Sequence, residues 1–154
     1  MKAKLLQEHG QKTFALAFDA GDEVMAGLLD FARQHGLAGS HCTAIGAFSD
    51  VVIGYFDWEQ KEYKRIPITE QVEILSLAGD IALDQSEPKV HAHVVVGKAD
   101  GTAHGGHLME AHVRPTLGVI LMASPRPLQR QMDWRGRLGA HTVVRKEAGA
   151  IQGG

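Results

Sequence analysis

The chain has 154 residues, of which 44% are hydrophobic and 22% are charged, values typical of one globular domain. A formal net charge of −2 argues against a general surface for polyanions, and a single cysteine excludes an internal disulfide framework and a multi-cysteine zinc site. No apolar run reaches the length of about 18 residues that a membrane helix needs, and the first residues turn polar too soon for a signal peptide. We therefore expect a soluble cytoplasmic protein without a membrane span.

The N-terminal part of the chain predicts two strands followed by the best helix. Lys2–Glu8 and Lys12–Asp19 read as short strands joined at a glycine turn, and the second alternates well. Apolar residues then recur at helical spacing, which predicts a helix over Asp22–His35. Capping groups before this segment and Gly36 after it mark its two ends. Its apolar stripe should cover one face of a sheet.

The rest of the chain is predicted to be mostly strand. Ser40–Phe48 and Val51–Phe56 flank a predicted turn at Ser49-Asp50, whereas Leu128–Trp134 reads as a short helix after a proline turn. The remaining predicted strands are Glu62–Arg65, Glu70–Leu77, Val90–Val96, Thr102–Leu108, Val113–Ala123 and Ala140–Arg145.

One long helix beside about eight strands indicates an α+β fold. We expect a central antiparallel sheet or flattened barrel of about seven to eight strands, with the helix packed on it. Linkers, low-complexity tracts and internal repeats are not apparent. Residues 1–146 are therefore expected to form a single domain, and residues 147–154 a disordered tail.

The histidines are distributed unevenly. The chain has nine, and five of them fall between positions 91 and 112, namely His91, His93, His104, His107 and His112. Side chains alternate along a strand, so His91 and His93 should point to the same face. Neutral imidazole is the commonest metal ligand and a frequent proton carrier near neutral pH. Chemistry is therefore expected in this window.

The length of the next loop decides whether a third histidine joins them. A three-residue loop over Ala99–Gly101 pairs His93 directly with His107, and three imidazoles then converge on one face. A two-residue loop would turn His107 to the opposite face. A bulge at Gly105-Gly106 could bring the three imidazoles together even in that register. Gly101 at the third loop position favours the first register.

Three neutral histidines with an open fourth position match a catalytic-type zinc centre, and they also suit other divalent transition metals. The alternative is that the imidazoles hydrogen-bond in a polar cleft or lie on an exposed sheet face without a metal. Among other candidates, Cys42 reads as a small buried apolar residue, and Trp58 and Tyr63 could contact a partner.

Several segments, taken in order, resemble the PPC-domain family, a domain of plants and prokaryotes that accompanies AT-hook DNA-binding peptides in plants. Val72–Gly79 resembles its E-[IL]-L-S-L-x-G strand, and Val90–His93 resembles its H-x-H strand. The further similar segments are Ile45–Phe48, Gly54–Phe56, Asp100-Gly101, Gly105–Leu108 and Arg114–Leu117. The resemblance covers nearly the whole chain, from the first helix to about Val144.

The resemblance implies an α+β fold, a homotrimer and a divalent transition metal, with zinc the first choice, held by His91, His93 and His107. His104 and His112 do not match ligand positions, and each is a candidate for a place behind the ligands. Glu73 is a further candidate there, and a structural hydrogen-bonding role is its alternative. Gly118 stands where the family often has an acidic residue, which puts metal affinity in question if that acid orients a ligand.

We expect a homotrimeric metal-binding module for an unknown small ligand or protein partner. The alternative is a metal-dependent hydrolase or lyase that uses metal-activated water, with Glu73, His104 or His112 moving protons. A weaker alternative is a DNA-associated protein by analogy with AT-hook relatives. Arg135–Leu138 lacks the proline and the basic flanks of a hook, so direct DNA binding is not expected.

Overall fold

The computed structural model describes residues 1–7, 10–132 and 139–142. These residues form one helix and nine strands in a single sheet. In chain order the elements are β1 (Lys2–Gln7), β2 (Lys12–Asp19), α1 (Val24–Gln34), β3 (Gly39–Asp57), β4 (Glu62–Ile68), β5 (Val72–Asp84), β6 (Glu87–Gly97), β7 (Ala103–Ala123), β8 (Gln129–Met132) and β9 (Gly139–Thr142). The predicted α+β class with a mostly antiparallel sheet and one main helix is confirmed. Over these residues, no helix is long and apolar enough to span a bilayer.

Four of the strands close into a ring. β3 pairs with β5 and β7, and β6 pairs with the same two strands, all antiparallel. This closed part corresponds to the flattened barrel that the sequence predicts. β1 and β2 extend the sheet beyond β7, and β4 extends it beyond β3.

Helix α1 buries its predicted apolar stripe against β6 and β7. Val24, Leu28 and Phe31 are almost fully buried, and burial of each such side chain stabilises the fold by roughly 1.5–3 kcal/mol. The helix begins at Val24, two residues later than predicted, because Glu23 is the cap and its carboxylate accepts a hydrogen bond of 2.6 Å from the Ala26 amide. The sheet therefore has one face covered by the helix and one face open.

Two predicted breaks in the sheet are wrong. Ser49 and Asp50 do not form a turn, because β3 runs through them with register shifts on either side of Phe48. The predicted gap after Leu108 lies within β7, which continues from Ala103 to Ala123. Each long strand pairs with the other along most of its length, so neighbouring backbone satisfies the groups that a turn would have satisfied locally.

The predicted short helix at Leu128–Trp134 is also wrong over residues 128–132, the part of it that the structure describes. Gln129–Met132 forms β8, and the Leu83 amide on β5 donates a hydrogen bond of 2.8 Å to the Leu128 carbonyl. The predicted strand Ala140–Arg145 corresponds to β9 over Gly139–Thr142. The end of each segment, the Arg135–Leu138 motif and the predicted tail at 147–154 lie outside the described residues.

Candidate metal centre

The loop between β6 and β7 has the three-residue form. The Lys98 amide donates to the Thr102 carbonyl at 2.9 Å, and the Gly101 amide donates to the Lys98 carbonyl at 2.9 Å. Gly101 has φ of +81°, which glycine adopts without steric cost. Asp100 accepts hydrogen bonds from the hydroxyl and the amide of Thr102, and these bonds lower the pKa of its carboxyl. Local chemistry therefore sets the register of this hairpin.

The resulting register brings three histidines together, as predicted. His93 pairs directly with His107, and Gly97 pairs with Ala103 at the loop end. One ring nitrogen from each of His91, His93 and His107 lies within 4.8 Å of the other two. The ring centroids are 4.9 Å apart for His91 and His107 and 5.5 Å apart for His93 and His107. We call these three residues the histidine triad.

The triad lies in the open face of the sheet and is partly shielded. His91 and His107 are half-buried, whereas His93 is exposed. The Tyr63 ring from β4 lies 5.1 Å from the His107 ring, centroid to centroid, at an angle of 36°. Tyr63 thus contacts a triad histidine, a role the sequence did not reveal because the β3–β4 pairing brings it there. His93 is therefore the triad member most accessible to solvent.

Asp80 is a second neighbour of the triad that the sequence did not reveal. It pairs directly with His91 across β5 and β6, and its Oδ2 lies 4.0 Å from His91 Nδ1. Close approach of the two strands here needs Gly79, because a Cβ at that position would come within 2.8 Å of the His91 carbonyl oxygen. The sequence prediction missed this contact because it ended one strand at Leu77 and began the next at Val90. β5 and β6 instead continue to a two-residue turn at Gln85 and Ser86, and this turn pairs Asp80 with His91.

Two of the residues predicted to lie behind the ligands are placed elsewhere. Glu73 pairs with Gly97, which lies four residues from His93 on β6, so about 13 Å of strand separates them. His104 pairs with Val96, whose side chain is fully buried on the face opposite the triad. Its ring lies 3.4 Å from the Thr102 hydroxyl.

His112 also lies away from the triad. It follows His107 by five residues on β7, which corresponds to about 16 Å along an extended strand. Its Nδ1 lies 2.8 Å from Asp50 Oδ1 on β3. This hydrogen bond raises the pKa of His112 and lowers that of Asp50. The pair joins the two long strands rather than supporting the triad.

Gly118 is distant from the triad within one chain. It pairs with Ile45 on β3. Ile120, two residues further along β7, pairs with Thr43, which pairs with Ala78, which in turn pairs with His93. Three strand spacings, about 14 Å, therefore separate Ile120 from His93. The glycine therefore removes no contact to a triad histidine of the same chain, whereas Asp80 supplies an acidic neighbour from a different strand.

Cys42 is buried in the core, as predicted. Burial raises the pKa of its thiol to about 11, and the nearby Asp80 charge acts in the same direction. The thiol therefore stays protonated at neutral pH, so it serves as a packing residue.

The sequence is similar to those of known proteins that share one domain. Residues 6–125 match the profile of the Plants and Prokaryotes Conserved (PCC) domain, which is the PPC domain that the sequence motifs resemble. The chain belongs to this family. A curated relative, the bifunctional protein GlmU of Synechococcus sp., is 31% identical over 113 residues, which is 73% of this chain. The aligned part of the PCC-domain chain spans only 17% of the length of that relative.

Solved structures share the fold of this PCC-domain protein. A metal-containing protein from Archaeoglobus fulgidus is 33% identical with a TM-score of 0.79, and the match covers 92% of this chain and 97% of that one. A plant- and prokaryote-conserved protein from Pyrococcus horikoshii is 29% identical with a TM-score of 0.79, covering 94% and 97%. A Bacteroides thetaiotaomicron protein that carries a provisional DNA-binding name is 21% identical with a TM-score of 0.82, covering 91% and 96%. At that identity it shows the fold alone.

The chemistry of the triad suits a transition metal. Three imidazole nitrogens form the donor set that zinc and other late first-row divalent ions prefer. Two nitrogens bound to one tetrahedral zinc lie about 3.4 Å apart, and the triad nitrogens lie within 4.8 Å of one another. Small side-chain rotations therefore suffice to bring the nitrogens to ligand spacing.

Proposed function

We propose that this PCC-domain protein binds one zinc ion per chain through His91, His93 and His107 and acts as a homotrimeric ligand-binding or protein-interaction module. The observation that carries the proposal is the meeting of three imidazole nitrogens within 4.8 Å of one another on the open face of the sheet. The metal would supply Lewis acidity and an open coordination position.

The donor set and the relatives support a metal. The triad contains no carboxylate, which favours zinc and its neighbours over magnesium or calcium. The 33% identical relative from Archaeoglobus fulgidus is a metal-containing protein. Zinc is the first choice because three neutral histidines with a free fourth position form a common zinc site.

A binding role fits the surroundings of the triad better than an enzymatic one. The residues suggested as proton carriers, Glu73, His104 and His112, lie either far along their strands or on the opposite face. A hydrolase or lyase needs a group within hydrogen-bond reach of the reacting proton. The enzymatic function therefore remains the alternative, and chelator-sensitive turnover in a broad hydrolase and lyase panel would support it.

The trimer part of the proposal has its own support in the open face. Ile45, Ile120 and Met122 on β3 and β7 are 76%, 43% and 37% exposed. They lie on the same face of the sheet as the triad, because Ile120 and His93 occupy one row across four strands. Adjacent exposed apolar side chains of this kind mark interaction sites, and a second copy of the chain would cover them.

Metal analysis of untagged protein tests the proposal. Wild-type protein should hold about one zinc per chain, and His93→Ala should lose most of it, since two remaining imidazoles make an incomplete site. His104→Ala is the matched control, because it removes a nearby exposed histidine on the other face and should leave the zinc content unchanged. Metal-free wild-type protein after zinc loading, or equal zinc in His93→Ala, would contradict the proposal.

A further inference from the structure

We infer that Asp80 is a positioning residue for the metal centre: it holds Nδ1–H of His91, so that Nε2 of this ring faces the other two histidines. The inference rests on the proposed zinc site and extends it to a residue on a different strand. It starts from the side-by-side placement of Asp80 and His91 on β5 and β6.

The two side chains lie close together and are partly shielded from water. Asp80 Oδ2 lies 4.0 Å from His91 Nδ1, and the side chains of His91 and Asp80 are 30% and 22% exposed. A movement of about 1 Å in the ring nitrogen brings the pair into hydrogen-bond range. Partial burial strengthens the attraction of the carboxylate for an N–H dipole compared with a fully exposed pair.

A neutral imidazole has one N–H and one free lone pair, so a partner at one nitrogen decides which nitrogen can bind a metal. A carboxylate only accepts hydrogen bonds when ionised, and Asp80 therefore favours the form of His91 with hydrogen on Nδ1. The lone pair is then on Nε2, the atom at the far end of the ring. Carboxylate partners of this kind also raise the basicity of the ligand and fix the ring orientation.

Asp80 differs from two other acidic residues of this region, Glu70 and Asp84, in the side chain that it contacts. Glu70 pairs with Lys98 at 2.6 Å, and Asp84 pairs with Lys89, so each of these carboxylates has a lysine as its partner. Asp80 instead places its carboxylate beside a nitrogen of a triad histidine. It also stands in the first position after the close-packed Gly79, where the backbones of β5 and β6 are held together.

The experiment compares zinc affinity and the tautomer of His91 in wild-type protein and two variants. Asp80→Ala should lower zinc affinity by about 10–100-fold, measured by competition with a chromophoric chelator. Asp84→Ala is the matched control, because it removes an aspartate from the same strand that also pairs with a β6 residue. It should bind zinc as the wild type does.

The second readout is the His91 tautomer in metal-free protein, read from long-range proton–nitrogen correlations of histidine-labelled samples. Wild type should carry the hydrogen on Nδ1, and Asp80→Ala should shift it toward Nε2. If Asp80→Ala does not fold, Asp80→Asn keeps the shape without the charge, and it should weaken zinc binding by a smaller factor.

The outcomes separate this inference from the proposed function. Wild-type protein without zinc affinity would overturn the metal site, while the tautomer would still report the Asp80–His91 contact. Zinc binding in Asp80→Ala equal to that of wild type, or His91 already carrying its hydrogen on Nε2 in wild type, would overturn the role of Asp80.

Discussion

At the scale of single residues, the pairing of His112 with Asp50 shows how a functional-looking histidine can serve the fold. Its imidazole contacts a carboxylate on the neighbouring long strand at 2.8 Å, and the two side chains are 46% and 44% exposed. The hydrogen bond raises the pKa of His112 above 6.5 and lowers the pKa of Asp50 below 3.8. Exposure limits the pair to less than about 1 kcal/mol.

The pH dependence of stability follows from these directions. The contribution of His112 is complete below about pH 6.5 and is lost as pH rises through its raised pKa in the folded state. The contribution of Asp50 is complete above about pH 3.8 and is lost as pH falls through its lowered pKa. The pair should therefore stabilise the fold most between these two values.

His112→Gln tests this window. The difference in the free energy of unfolding between wild type and His112→Gln should be below about 1 kcal/mol at pH 5.5 and smaller at pH 9. Urea denaturation at both pH values measures it. Asp50→Asn added to His112→Gln should cause little further loss, and an equal loss at the two pH values would contradict the assignment.

At the scale of elements, the β6–β7 hairpin controls the triad. Its three-residue loop sets the pairing of His93 with His107, since a slip of one residue would move His107 to the other face. The loop depends on the positive φ of Gly101, where an added Cβ would meet none of the described neighbouring atoms within 4 Å. Backbone conformation, rather than crowding, therefore restricts this position.

Gly101→Val should destabilise the protein by about 1–2 kcal/mol, the cost of a left-handed conformation for an L-residue. Gly101→Asn is the matched control and should cost less, because asparagine tolerates this conformation. Chemical denaturation measures both variants. A Gly101→Val protein as stable as the asparagine variant would show that the loop can change its backbone without penalty.

At the scale of the whole molecule, the sheet has one face covered by α1 and one face open. The open face holds the triad as well as Ile45, Ile120 and Met122, so the proposed metal centre and the proposed contact between copies share one surface. A carboxylate introduced into a buried apolar contact is costly because it loses its water without gaining a partner. Mutation of this face therefore distinguishes an interface from a solvent-exposed surface.

The double variant Ile45→Asp, Ile120→Asp should dissociate the proposed trimer. Light scattering should give the mass of three chains for wild type and of one chain for the variant. Tyr55→Asp is the control, because Tyr55 is 64% exposed at the distant end of β3 and its variant should stay trimeric. A wild-type protein with the mass of one chain would contradict the trimer.

The sequence by itself determined the features that depend on neighbouring residues. The stripe of α1 follows from apolar spacing, and the pairing of His93 with His107 follows from the length and glycine of one short loop. The meeting of three histidines could be predicted for the same reason. The metal that they are proposed to hold stays a prediction.

Tertiary structure alone decided what depends on distant strands. It paired His112 with Asp50 and let β3 pass through the predicted turn at Ser49. The physical reason is that a hydrogen-bond or ion-pair partner across a sheet is set by the register between segments far apart in the chain. Short turns fix the β5–β6 and β6–β7 registers locally, the first through the two residues Gln85 and Ser86. The β3–β7 register emerges only when the sheet is assembled.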